Sequence, residues 1–163
     1  MALFNADEIL AIATTIERNG QTFYRKAAQK AADPKAKELF VKLADWESRH
    51  EAKFSKMREK LSGADFLPID PDGSVAIFLN AVADGKVFNL DAVDSDLERT
   101  TSDVRSAFNE AVNREQIAVT YFSAIRDIVP EAFGKNVIDD IVREELSHIV
   151  YLKDMMRTLK LGG

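Results

Sequence analysis

The sequence predicts an all-α fold, a bundle of four long helices arranged as two helical hairpins joined by a long crossover. Three observations predict it. The four prolines fall at 34, 68, 71 and 130, which leaves long stretches where a helix can run unbroken. Within those stretches apolar residues recur at alternating spacings of three and four, the period of one helix face. The composition, 46% hydrophobic and 30% charged with only seven Gly in 163 residues, suits long amphipathic helices better than a turn-rich β fold.

The first helix is expected over about residues 6–31, opened by a capping-box pattern of Asn5 with Glu8. Asp33 caps the second, with Pro34 at its first position, and this helix is expected to run to about 62, before Gly63. Residues 63–101 contain Gly63, Pro68, Pro71, Gly73 and Gly85 and read as the crossover, with an apolar segment over 75–82 that suits a short helix. The third helix is expected over about 102–129 and the fourth, after Pro130, over about 131–159. Short, long, short connections describe two hairpins linked once. At this length one domain spanning 1–163 is the expectation.

Each helix carries an apolar stripe with a polar break near its middle. The first reads Leu10, Ala13, Glu17, Gly20, Tyr24 and Ala27; the second Ala36, Phe40, Leu43, Glu47, His50, Phe54, Met57 and Leu61. The third reads Val104, Phe108, Ala111, Glu115, Ala118, Phe122 and Ile125; the fourth Ile138, Ile141, Glu145, His148, Leu152, Met155 and Leu159. The breaks are therefore Glu17, Glu47 with His50, Glu115, and Glu145 with His148, and these are the two histidines of the sequence. One offset of 98 residues carries Glu17, Glu47 and His50 onto Glu115, Glu145 and His148. Duplication of one helical hairpin is the simplest account.

Residues equally distant from the turn of an antiparallel hairpin lie side by side. Midway between Glu17 and Glu47 lies Ala32, beside the expected turn, and midway between Glu115 and Glu145 lies Pro130. Both hairpins thus set a lone glutamate level with a Glu-x-x-His pair, whose i and i+3 positions share a helix face. Four ionised carboxylates in an apolar core would repel one another and lose hydration, so they need protons or cations. Oxygen and imidazole donors without thiolate suit iron or manganese more than structural zinc. A Glu from each of two helices plus Glu-x-x-His from each of the other two can hold two such ions, with Glu47 and Glu145 expected to bridge and Glu17 and Glu115 to be terminal. Two iron ions are the expected cofactor, with manganese or zinc as substitutes. Met57 and Met155 read as core packing, Tyr24 as core packing or, two turns from Glu17, as a redox or hydrogen-bonding neighbour of the site, and Trp46 as a helix boundary or subunit contact.

Other features narrow the function classes. A formal charge of −5 and a pI near 5.1 argue against nucleic acid as partner, since phosphate binding needs clustered Lys and Arg. The absence of cysteine excludes disulfides, zinc-thiolate sites and iron-sulfur centres within this polypeptide. Asp7, Glu8 and Glu17 interrupt the N-terminal stretch where a secretory signal would be basic and then apolar, and no run is long and apolar enough to cross a bilayer. A cytoplasmic protein without membrane contact is expected.

The paired pattern of Glu17, Phe23-Tyr24 and Glu47-Ser48-Arg49-His50 with Glu115, Tyr121-Phe122 and Glu145-Leu146-Ser147-His148 resembles the rubrerythrin branch of the ferritin-like proteins. The resemblance covers all four helices. It implies a di-iron oxidoreductase that reacts with peroxide or dioxygen, fed by electrons from a rubredoxin-like domain. This cysteine-free chain resembles the catalytic part alone, so an external electron donor is implied, as is a homodimer. Family members usually carry a further glutamate one turn after the ligand on the third helix; here that position is Ala118. Its absence sets a ferroxidase or iron-handling role, and a non-catalytic metal-binding role, beside the peroxidase one. Gly20 and Ala118, at equivalent positions beside the two terminal glutamates, would leave room for an oxidant or for close helix approach.

Overall fold

Helix α1 spans Ala6–Lys30 and begins where the sequence expects, because Asn5 and Glu8 cap each other's backbone N–H groups at 2.9 and 3.0 Å. Helix α2 spans Pro34–Glu59, with the Asp33 side chain accepting from the N–H groups of Lys35 and Ala36. Helix α3 spans Val104–Arg126, capped by Asp103 through the Ser106 N–H, and helix α4 spans Lys135–Thr158. The structure is a computed structural model and describes residues 5–61, 77, 103–127, 129 and 134–161. The crossover expected over 63–101, with the short helix over 75–82, lies outside the described residues except for the exposed Ile77. Among the described residues there are four long helices, no strand, and no helix long and apolar enough to cross a membrane.

Two helix boundaries differ from expectation. The regular part of α3 ends at Arg126, although the Val129 N–H still donates to the Ile125 carbonyl at 2.8 Å. Helix α4 starts at Lys135, four residues later than expected, because Gly134 takes φ +108° and its carbonyl receives the first helical N–H groups, from Val137 and Ile138. That left-handed backbone favours glycine.

Helix α1 packs along α2 and α3 along α4, and the two hairpins meet through α1 with α3 and α2 with α4. The core is split in two. One cluster gathers Phe23, Tyr24, Phe40, Leu43, Phe108 and Leu152 with their neighbours; the other gathers Ile9, Leu10, Phe54, Tyr121, Phe122 and Ile141 with theirs. Along every helix the switch from one cluster to the other falls at the Glu or Glu-x-x-His break. The order of the switch also gives direction: α1 and α4 run one way, α2 and α3 the other. Helix α2 ends and α3 begins at opposite ends of the bundle, so the link between the hairpins is a crossover, as in a ferritin-like four-helix bundle.

The predicted stripes are buried except at Val104, at Met155, and at Leu61 and Leu159, which lie just past the ends of α2 and α4 and pack half-buried against the core clusters. Val104 is exposed at the start of α3, where only the cap precedes it. On α4 the fully packed member of the Met155-Met156 pair is Met156, while Met155 packs half-buried against the same cluster; the buried face of a straight helix drifts off a strict seven-residue pattern. The Tyr121 hydroxyl, buried in the second cluster, donates to the Ile9 carbonyl at 3.0 Å and ties α3 to α1.

Phe122 sits between Phe54 and Tyr121, with ring centroids 5.0 and 5.9 Å away, and is fully buried. Phe122→Ala is expected to cost about 3–5 kcal/mol in denaturant unfolding of the metal-free protein, the usual cost of an aromatic-to-alanine cavity. A loss below about 1 kcal/mol, the level of an ordinary surface substitution, would contradict this packing.

Candidate metal centre

All six side chains singled out by the stripes meet in the layer between the two apolar clusters. Glu17, Glu47, His50, Glu115, Glu145 and His148 are each at most 5% exposed. Helix α1 supplies Glu17, α2 supplies Glu47 and His50, α3 supplies Glu115, and α4 supplies Glu145 and His148. They fall into two groups whose donor atoms lie within 4.8 Å of one another: Glu17, Glu47, His50 and Glu145, and Glu47, Glu115, Glu145 and His148. Glu47 and Glu145 belong to both.

Both histidines point Nδ1 inward. His50 Nδ1 lies 2.7 Å from Glu145 Oε1 and 3.4 Å from Glu17 Oε2, and His148 Nδ1 lies 2.9 Å from Glu145 Oε2 and 3.5 Å from Glu115 Oε2. The two imidazoles are nearly parallel, with centroids 5.7 Å apart. Despite those short approaches, neither Nδ1, neither oxygen of Glu17 and neither oxygen of Glu145 has a hydrogen bond of acceptable geometry. Buried polar atoms are normally paired, and an orphan costs about 1–3 kcal/mol or more when charged. Six orphans aimed at a shared space are what a cation-binding layer leaves when described by protein atoms alone. The donors, carboxylate oxygen and imidazole nitrogen, fit iron or manganese.

The electrostatics say the same. Burial, followed by repulsion from neighbouring carboxylates, pushes Glu17 and Glu47 well above the usual carboxylate range, although the nearness of Glu47 partly offsets the rise at Glu17. Burial and the Glu145 charge push Glu115 up to about 8. Burial also acts on Glu145, but the close approach of Glu115, His148 and His50 outweighs it and holds this carboxyl well below its ordinary value. For the histidines burial favours the neutral form, yet their carboxylate partners win and raise His50 to about 9 and His148 to about 10. Without metal the layer thus keeps protons to balance its charge. Two divalent cations would replace them.

Several neighbours of this layer have partners that the sequence reading did not identify. Tyr24 does more than pack: its hydroxyl donates to Glu115 Oε1. Trp46 lies flat on the His148 ring, centroids 4.7 Å apart and planes within 5°. Glu144 accepts from His50 Nε2 at 2.7 Å and from Lys53 Nζ at 2.9 Å. Each of these contacts joins different helices, so no spacing within one helix announces it. Gly20 lets Glu47 lie close to α1, since a Cβ there would sit 3.2 Å from Glu47 Cδ and 3.3 Å from its Oε2 and would press that side chain aside. Gly20 and Ala118 also line a pocket between α1 and α3 that reaches Tyr24, Glu47 and Glu115 from outside, beside Arg114.

Comparison with known proteins agrees with the fold. The family profile for Rubrerythrin matches residues 8–156. A crystal structure of a protein from Thermotoga maritima, assigned as a ferritin-like diiron-carboxylate protein, superposes with a TM-score of 0.67 at 21% identity, covering 96% of this chain and 97% of that one. At that identity the likeness is one of fold. No curated protein sequence matches the chain.

The raised groups make a pH prediction for the metal-free protein. Glu115, His50 and His148 each hold a proton in the folded state at pH values where the unfolded chain has released it. Their stabilisation is complete below about pH 4.5 for the acid and about pH 6.5 for the histidines, and is lost as pH rises through about 8, 9 and 10. Glu145 has the opposite sign but has finished changing above its ordinary range. Unfolding of the metal-free protein is therefore expected to become easier steadily from pH 6 to pH 9. Stability that is flat or rising across that interval would contradict the protonated layer.

Proposed function

We propose, from the premise that this chain belongs to the rubrerythrin family, that the buried layer binds two iron ions and uses them to reduce peroxide or dioxygen. The observation that carries the reading is the sharing of Glu47 and Glu145 between two complete four-residue donor groups. One ion would be held by Glu17, Glu47, His50 and Glu145, the other by Glu47, Glu115, Glu145 and His148. Glu145 turns one oxygen toward each histidine, which supports a shared role for it. Glu17 and Glu115 would then be terminal ligands. Two divalent ions neutralise four carboxylates and leave both imidazoles neutral.

Bound iron would supply one electron per ion, and reduction of hydrogen peroxide to two waters consumes two electrons and two protons. The rest is the work of this chain's residues. The apolar clusters above and below the layer keep bulk water from it. Tyr24 holds Glu115 in place through its hydroxyl. The pocket between α1 and α3 gives a small oxidant a way to the Glu47 and Glu115 side of the layer, and the small side chains at Gly20 and Ala118 keep that way open. The sequence contains no cysteine to relay electrons, so a separate reductant is part of the reading, as is a homodimeric assembly.

Two experiments test it. Glu47→Ala and Glu145→Ala are expected to lose both ions in metal analysis of ferrous-loaded protein, whereas Glu17→Ala keeps about one, because a bridging carboxylate serves two ions and a terminal one serves one. Equal metal content in the three variants would refute the bridging assignment. In the second, anaerobically reduced protein mixed with excess peroxide is expected to consume about one peroxide per pair of ions and then stop, turning over again only when a low-potential donor is added. Faster reaction with oxygen, sustained by added ferrous iron as mineral accumulates, would overturn the peroxidase reading in favour of iron handling. Reaction with neither oxidant would leave a metal-binding protein without redox catalysis.

A further inference from the structure

The two histidines present the same atom to the centre and stand on different supports. His50 Nε2 faces outward onto the Glu144 carboxylate at 2.7 Å, and the other oxygen of Glu144 accepts from Lys53 Nζ at 2.9 Å. A proton on Nε2 shared with that carboxylate leaves the Nδ1 lone pair free for a cation. His148 also turns Nδ1 inward, but its ring is backed by the Trp46 indole, stacked at 4.7 Å. The carboxylates that approach His148, Glu115 and Glu145, both do so at Nδ1.

The difference is sharpened by the internal repeat. The offset of 98 residues that relates the two ligand triplets also relates Trp46 to Glu144. In each half the residue just before the shared glutamate supports the histidine of the other half. One of these supports is an anion and the other an aromatic ring. The ligands repeat, and what stands behind them does not.

We infer that Glu144 is a positioning residue that makes the two ion positions unequal, with the position at His50 the tighter. A carboxylate behind a ligating imidazole fixes the ring and makes its inner nitrogen a stronger donor, and removing such a partner typically lowers metal affinity about 10–100-fold. A stacked indole restrains the plane of His148 but accepts no hydrogen bond from it. A purely structural Glu144 would only pair with Lys53 across α2 and α4, an exposed ion pair of small worth.

The inference rests on the proposed ligation, and the test separates the two. Metal-free protein is titrated anaerobically with cobalt(II) against a competing chelator, and proton NMR of the loaded protein follows the shifted, exchangeable imidazole N–H signals. Wild type is expected to bind two ions in two steps and to show one slowly exchanging N–H, that of His50. Glu144→Ala should weaken the first step roughly 10–100-fold, leave the second within about threefold, and abolish the slow signal. Glu144→Gln, which keeps an acceptor oxygen without the charge, should restore the signal and part of the affinity. Two ions bound with equal affinity by wild type, or equal weakening of both steps in Glu144→Ala and Glu144→Gln, would overturn the inference while leaving the ligand set standing. Failure of wild type to bind cobalt would overturn both.

Discussion

Burying four carboxylates and two imidazoles in one layer of an apolar core is the constraint on which the rest of this structure depends. An unpaired buried charge costs several kcal/mol, comparable with the whole net stability of a domain this size. The layer is tolerable only if its charge is balanced, and within the chain the balance comes from protons: raised carboxyls at Glu17, Glu47 and Glu115, and histidines held cationic by Glu145. Aromatic and aliphatic clusters on either side of the layer supply the packing that keeps it closed. The same enclosure that makes the layer costly makes it a strong site for cations, because charges attract more strongly where water is excluded.

Much of this was legible in the sequence because helix periodicity is a local signal. Each of the six candidate side chains interrupts an apolar stripe, and hairpin symmetry about Ala32 and Pro130 puts the interruptions at one height. The side chains do meet there. What escaped the sequence was set by other physics. Helix α4 begins at Lys135 because Gly134 adopts a left-handed backbone, a conformation that apolar spacing does not encode. Glu144 sits next to a ligand yet serves a histidine 94 positions away, and Tyr24 serves a glutamate 91 positions away. Such partners become visible only when the crossing of helices is known.

The two halves of the chain repeat their ligands and vary the groups around them. Tyr24 and Phe122 are equivalent under the internal offset, as are Phe23 and Tyr121. The hydroxyl of Tyr24 therefore reaches Glu115, whereas that of Tyr121 turns away to the Ile9 carbonyl. Glu17, the counterpart of Glu115, has no hydrogen bond to either oxygen. Together with Glu144 behind one histidine and Trp46 behind the other, this turns a symmetric set of six donors into two distinct environments. Two unlike environments would hold two ions unequally, which fits the redox role proposed for the layer.

The central claim is that these six side chains hold two ions together, and anomalous diffraction from crystals grown with ferrous iron under anaerobic conditions addresses it without reference to activity. Data collected above and below the iron absorption edge should show two peaks in the layer, a few ångströms apart, with Glu47 and Glu145 in contact with both. A single peak, or iron bound only at surface carboxylates, would contradict the account.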